Sequence, residues 1–180
     1  MVGHEITAAA AMGQLRAALR TLALERDADP AMVLDRPAET NRALRITAFA
    51  TAVFARLTRI GTAWQLSRAV AGHPPPLLVG PDGAVELLDR TTGVALVPTI
   101  TRPRAAAHLS VPDGSTLLMY TDGLVEHRGV NLSESIADLC RLAAATAGCP
   151  LDEVCDRLLR YAPGSDDVAL LAARVAGPTR

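Results

Sequence analysis

A chain of 180 residues, 49% hydrophobic and with a net charge of -1, is long enough for one domain with its own core and too apolar to be disordered. Its 18 basic residues are all arginine and are balanced by 19 acidic ones, so no electrostatic argument favours a nucleic-acid partner. Three cysteines (Cys140, Cys149 and Cys155) are odd in number, match no zinc spacing and read as small apolar residues. With no leader-like N-terminus and no uncharged apolar run long enough to span a bilayer, the expected location is a reducing cytoplasm, away from membranes.

Residues 4–25 are expected to be helical, because Met12, Leu15, Leu19 and Leu22 recur every three or four positions with Ala8, Ala11 and Ala18 on the same face. Asp27-Ala28-Asp29-Pro30 ends that helix and starts a second over residues 30–45. Met32, Val33, Leu34 and Leu44 anchor it, and Pro37 is expected to kink or split it. Alternation through Phe49, Thr51, Val53, Ala55 and Leu57 then predicts a strand. After the Gly61-Thr62 turn, a second strand follows with Trp64, Leu66 and Val70 on one face.

Pro74-Pro75-Pro76 takes the chain out of the sheet, and 77–88 reads as a hairpin about Gly80-Pro81-Asp82-Gly83. Residues 89–104 look like loop, and 106–111 like another strand. Leu117 to Tyr120 suits a strand buried on both faces, running into the turn Asp122-Gly123. Asn131 and Glu134 resemble a capping box for a helix whose stripe is Leu132, Ile136, Leu139, Ala143 and Ala147. Gly148 stops it, Pro150 opens a last helix lined by Leu151, Val154, Leu158 and Leu159, and a strand from Val168 closes the domain.

Two strand-edge acids stand out. Asp122 ends one apolar strand, and Asp166-Asp167 precede another. Carboxylates held on rigid strands suit a hard cation such as Mg²⁺ or Mn²⁺, which takes oxygen ligands. Taken alone, the Asp122 stretch is better read as a plain strand and turn, and spacing alone does not bring the two acids together.

Five stretches occur in an order that points further: Gly3-His4 opening an Ala-rich helix, Phe49-Ala50-Thr51-Ala52, Ala71-Gly72-His73-Pro74-Pro75-Pro76-Leu77-Leu78, Tyr120-Thr121-Asp122-Gly123-Leu124, and Asp166-Asp167-Val168-Ala169-Leu170-Leu171. Together they resemble the SpoIIE and RsbU branch of the bacterial metal-dependent, type 2C protein phosphatases, over nearly the whole chain. The resemblance implies an α+β fold, a four-layer α-β-β-α sandwich of two antiparallel sheets flanked by helices. Residues 1–176 would be the phosphatase domain and 177–180 a tail.

The resemblance also implies hydrolysis of phosphoserine or phosphothreonine on a regulatory protein, such as an anti-sigma factor antagonist, by a water activated between two Mn²⁺ or Mg²⁺ ions. By motif match Asp122 and Asp166 would be the catalytic metal ligands. Asp167 and Gly123 would lie beside them, and Gly3 and His4 would match the Gly-His of a D-x-x-G-H-G motif near metal or substrate. His73 reads as a turn residue in preference to a ligand.

The match has departures. Glu5 replaces the motif's second glycine, its Asp would fall before Met1, and the strand bearing the bridging Gly-Asp is absent from the sequence. The chain therefore reads as a phosphatase domain without its opening strands, holding at most one cation and hydrolysing little. Open strand edges would favour a homodimer, aggregation or a partner segment. The alternative is a catalytically dead, phosphatase-like binding module.

Overall fold

The computed structural model describes residues 2–25, 28–43, 49–90, 92–96, 103–164 and 167–177, the side chains of 2–8, 41–43 and 92 excepted. In chain order its elements are α1 (Val2–Ala23), α2 (Pro30–Ala43), β1 (Ala52–Ile60), β2 (Ala63–Ala71), β3 (Leu77–Val79), β4 (Val85–Leu87), β5 (Thr92–Gly93), β6 (Ala107–Val111) and β7 (Thr116–Tyr120). A 3₁₀ turn (Asp122–Leu124), α3 (Leu132–Ala144), α4 (Leu151–Leu159) and β8 (Leu170–Arg174) follow. They form two compact units, Met1–Leu57 with Leu66–His73 and Arg90–His108, and Thr58–Gln65 with Pro74–Asp89 and Leu109–Arg180.

The first unit sets α1 and α2 against a sheet built around β2, whose neighbours are β1, β5 and β6. Its core joins Leu15 of α1, Ala31 and Leu34 of α2, Ala69 and Ala71 of β2, and Ala50 and Leu96. The expected helix stripes hold at Leu15, Val33 and Leu34, whereas Met12 and Met32 are about half exposed. Leu44 lies outside the described residues.

Pro37 does not split α2, which runs unbroken through it. Its ring is buried, and the one hydrogen bond that it cannot donate is offset by packing of the helix on the core. Arg56 ties the α1–α2 connection to β1 by donating to the carbonyls of Ala23, Glu25 and Ala28 at 3.1, 2.8 and 3.1 Å.

Residues expected to be loop contribute strand β5, and it runs parallel to β2, pairing Val70 with Thr92 and Ala71 with Gly93. This sheet is therefore not purely antiparallel. Two residues of strand leave too little periodicity to read from sequence. What permits the close approach is Gly93, where a Cβ would sit 2.8 Å from the Val70 carbonyl oxygen.

The second unit carries a wholly antiparallel sheet in the order β4-β3-β7-β8. β3 and β4 form the expected hairpin, with Leu77 opposite Leu87 and Val79 opposite Val85. β7 lies between β3 and β8, and its consecutive residues Thr116, Leu117 and Leu118 are all buried, so both of its faces are covered and its sequence is continuously apolar rather than alternating. Helices α3 and α4 cover this sheet through Leu139, Ala143, Val154 and Leu158, packed on Leu77, Val79, Leu118 and Tyr120.

Asn131 caps α3, its side chain accepting from the Ser133 N–H at 2.8 Å. Leu132 and Leu159, expected on buried stripes, are exposed instead, whereas Leu158 beside Leu159 is fully buried. The cysteines are half-buried and unpaired with one another.

Candidate functional site

The strand pair β7–β8 positions the two acidic segments. Its antiparallel register places Thr116 opposite Arg174 and Tyr120 opposite Leu170. The end of β7 and the approach to β8 therefore lie at one end of the sheet. Thr121, the next residue, prolongs the pairing: its N–H donates to the Ala169 carbonyl at 3.0 Å. Its Oγ1 accepts from the Ala169 N–H at 2.8 Å and donates to the Asp167 carbonyl at 3.3 Å. One hydroxyl thus joins the strand end before Asp122 to the segment that follows Asp166.

Asp122 opens the 3₁₀ turn. Its carbonyl accepts from the N–H groups of Val125 and Glu126, both at 2.8 Å, and its Oδ1 accepts from the Gly123 N–H at 3.0 Å. Leu124 and Val125 are fully buried in the core of the unit, so the turn is pinned from below while the Asp122 side chain stays exposed. Turn chemistry at Asp122-Gly123 suggests a glycine in the left-handed region, but Gly123 has no positive φ and serves as a buried N–H donor.

Asp167 is exposed, and its main chain is held by Thr121. Asp166 lies outside the described residues. Gly3 and His4 fall in the first turn of α1, their side chains outside the described set. His73 follows Gly72, whose φ is +63° and whose added Cβ would meet that of Ala95 at 2.7 Å. The His73 ring lies 3.0 Å, Nδ1 to Oγ1, from Thr51. Two of the sequence stretches singled out above, around Thr51 and around His73, are thereby joined in a turn.

An all-oxygen donor set has the chemistry that Mg²⁺ and Mn²⁺ require. Among the described residues, however, no group of three His, Cys, Asp or Glu stands close enough to hold a metal ion. Of the expected ligands Asp122 and Asp166, only the Asp122 carboxylate is described, exposed and accepting from the Gly123 N–H. Sequence reasoning passed over two features here. Thr121 stands inside a quoted stretch but has no role of its own in the sequence reading, and nothing in the sequence marks the His127 and Tyr161 rings, which lie 4.6 Å apart.

The family model of stage II sporulation protein E matches residues 1–176. Among solved structures, the RsbU and RsbW domains of a Mycobacterium tuberculosis protein superpose with a TM-score of 0.82 at 31% identity, covering 99% of this chain and 52% of that one. This chain therefore spans about half the length of that structure. The SiaA-PP2C domain of Pseudomonas aeruginosa gives 0.67 at 20% identity, over 92% of this chain and 69% of that one. RsbX in complex with magnesium gives 0.66 at 15%, over 93% and 73%. The last two share the fold.

Proposed function

The chain belongs to the stage II sporulation protein E family, and from that premise we propose that it is a metal-dependent protein serine/threonine phosphatase domain. Its site would lie where β7 ends beside the approach to β8. The observation that carries this reading is the Thr121 hydroxyl, which bonds the Asp167 carbonyl and the Ala169 N–H and so draws together two acidic segments.

Asp122 and Asp166 are the proposed ligands, for one weakly held Mn²⁺ or Mg²⁺. Asp167 and Gly123 would be neighbours of that ion; a role for Gly3 and His4 toward substrate rests on the motif match. A bound cation would lower the pKa of its water and offset charge on phosphoryl oxygens. The protein's own part is to fix the Asp122 carboxylate on a buried turn and to hold the partner segment by Thr121. The magnesium complex of RsbX supports the choice of cation. A relative with both RsbU and RsbW domains supports a regulatory phosphoprotein, such as an anti-sigma factor antagonist, as partner. No helix among the described residues is long and apolar enough to cross a membrane, which accords with the proposed cytoplasmic setting.

The lack of a ligand trio among the described residues favours a second reading, a binding module without catalysis. Calorimetric titration with Mn²⁺ and hydrolysis of p-nitrophenyl phosphate separate the two. The expected result is one weak site, lost in Asp166→Asn, with slow hydrolysis that Asp122→Asn abolishes. No binding at all would leave the non-catalytic module, and two tight sites would overturn the assignment of one.

A further inference from the structure

The two edges of the second unit's sheet are built differently. β4, at one edge, is three residues long with Glu86 at its centre, and soluble proteins blunt an edge with such short, charged strands. β8, at the other, is five residues long and keeps one register against β7 from Leu170 to Arg174, so it has no bulge. It holds no proline, and its one charge is turned inward: Arg174 Nε donates to Thr116 Oγ1 at 2.9 Å, and its Nη1 to the Cys149 carbonyl at 2.7 Å. Leu171 on it is 50% exposed.

The hydrogen bonds show which way the β8 main chain faces. The Thr121 N–H donates to the Ala169 carbonyl and the Val175 N–H to the Ser115 carbonyl, both at 3.0 Å. In an antiparallel ladder every second residue bonds the same neighbour, so Leu171 and Ala173 also serve β7. Leu170, Ala172 and Arg174 therefore aim their N–H and C=O groups away from it, and no other described strand pairs with β8. Ala176 has the same parity, and its outward carbonyl accepts from Trp64 Nε1 at 3.0 Å. That indole closes the edge beyond Arg174.

We propose that β8 is a docking edge for β8 of a second copy of this chain, paired antiparallel about Ala172. The open residues complement themselves in that arrangement. Ala172 meets Ala172 at the two-fold axis, Leu170 meets Arg174 of the second copy, and about six main-chain bonds form. The two Arg174 residues then stand about 14 Å apart along the strands, beyond the screening length at physiological salt. A parallel pair in register would set them side by side. Leu171 comes opposite Ala173 of the second copy, so the exposed leucine gains an apolar cross-strand neighbour. The two-fold uses up both β8 edges and closes at a dimer. So short a strand pair makes a small interface, and the dimer is weak, with a Kd of about 10–100 µM. None of this depends on the cation site proposed above.

Sedimentation velocity and amide hydrogen exchange on the full chain test the pairing. Between about 2 and about 400 µM protein the chain should pass from monomer to dimer. Over that range exchange at the Leu170, Ala172 and Arg174 amides should slow about threefold to tenfold, while Leu171 and Ala173, bonded to β7 throughout, change less than about twofold. Ala172→Pro removes an N–H that β7 does not use, so at low concentration it should melt as wild type does and at high concentration stay monomeric. Leu171→Lys, which leaves the main chain intact, should also stay monomeric. A wild-type monomer at the upper concentration would overturn the pairing. So would assembly growing past a dimer, or a dimer in which the Leu170, Ala172 and Arg174 amides exchange as fast as in the monomer. Protection of those three amides at every concentration would mean a strand of the same chain on the edge, and would overturn it too. Should Ala172→Pro not fold, Leu171→Lys and the wild-type amide pattern decide.

Discussion

Removing Asp35 should cost the first unit about 3 kcal/mol. Arg104 carries a side chain only 7% exposed, paired with an Asp35 side chain that is 25% exposed. Its NH1 bonds Asp35 Oδ1, its NH2 donates to the carbonyls of Val94 and Ala95 at 2.7 and 3.3 Å, and its backbone N–H donates to Asp35 Oδ2 at 3.2 Å. The pair thus fastens α2 to the segment around β5.

Deleting one partner of a buried pair costs about 3–5 kcal/mol, because the other charge is left without compensation. Here two carbonyl acceptors remain to the guanidinium and Asp35 is partly solvated, which places Asp35→Ala at the lower end, about 3 kcal/mol. Arg104→Met leaves a carboxylate that water can reach and should cost about 2 kcal/mol. Asp35→Leu combined with Arg104→Met removes both charges and should stay within about 1.5 kcal/mol of wild type. Urea unfolding followed by far-ultraviolet circular dichroism measures all three. An Asp35→Ala variant within about 0.5 kcal/mol of wild type would refute the reasoning, since the guanidinium would then be solvated adequately without its partner.

Thr121→Val keeps the side-chain shape but loses both hydroxyl bonds to the β8 approach, and should cost about 1 kcal/mol in urea unfolding while Thr121→Ser stays near wild type. Tyr120 is fully buried, and burial, aided by the nearby Cys140 thiolate, pushes its hydroxyl above the ordinary 10.0. The unfolded tyrosine therefore ionises first, so stability is intact below pH 10 and declines as pH rises further. A pH series of melts should show a shallower alkaline decline in Tyr120→Phe, and identical profiles would argue against it. β8 forms one edge of its sheet, and Leu171 on it is 50% exposed. Light scattering should find self-association of the chain that Leu171→Lys relieves; a monodisperse wild-type monomer would count against the edge as its cause.

Elements with a strong periodic pattern or firm turn chemistry were legible in sequence. The β3–β4 hairpin follows from Gly80-Pro81-Asp82-Gly83, and α3 begins at the cap provided by Asn131. What escaped has physical reasons. β5 is two residues long and is held by its parallel partner rather than by its own pattern. Pro37 was weighed by local backbone chemistry, and tertiary burial outweighed it. Met12 satisfies the spacing of a buried stripe yet is half exposed, because spacing fixes which residues share a face and not how far the covering core, which takes Leu15, extends.

For the candidate site, the sequence marked both acidic segments, and their meeting end to end is a matter of register, which composition does not encode. His127 is a single loop histidine whose partner lies 34 residues on, a pairing visible only in three dimensions.

Thr121 and Ala169 are 48 residues apart, with two helices between them. Bringing such distant points together costs about 3 kcal/mol in chain entropy before the first pairing bond compensates it, if the intervening residues are still disordered. Once α3 and α4 have formed, the effective path is far shorter. The expected order of assembly is therefore helices first and strand closure last, with the acidic pair appearing only at the final step. A population trapped before that closure would hold native helicity and yet lack the proposed cation site. Binding at that proposed site would report completion of folding, where circular dichroism would report only its early part.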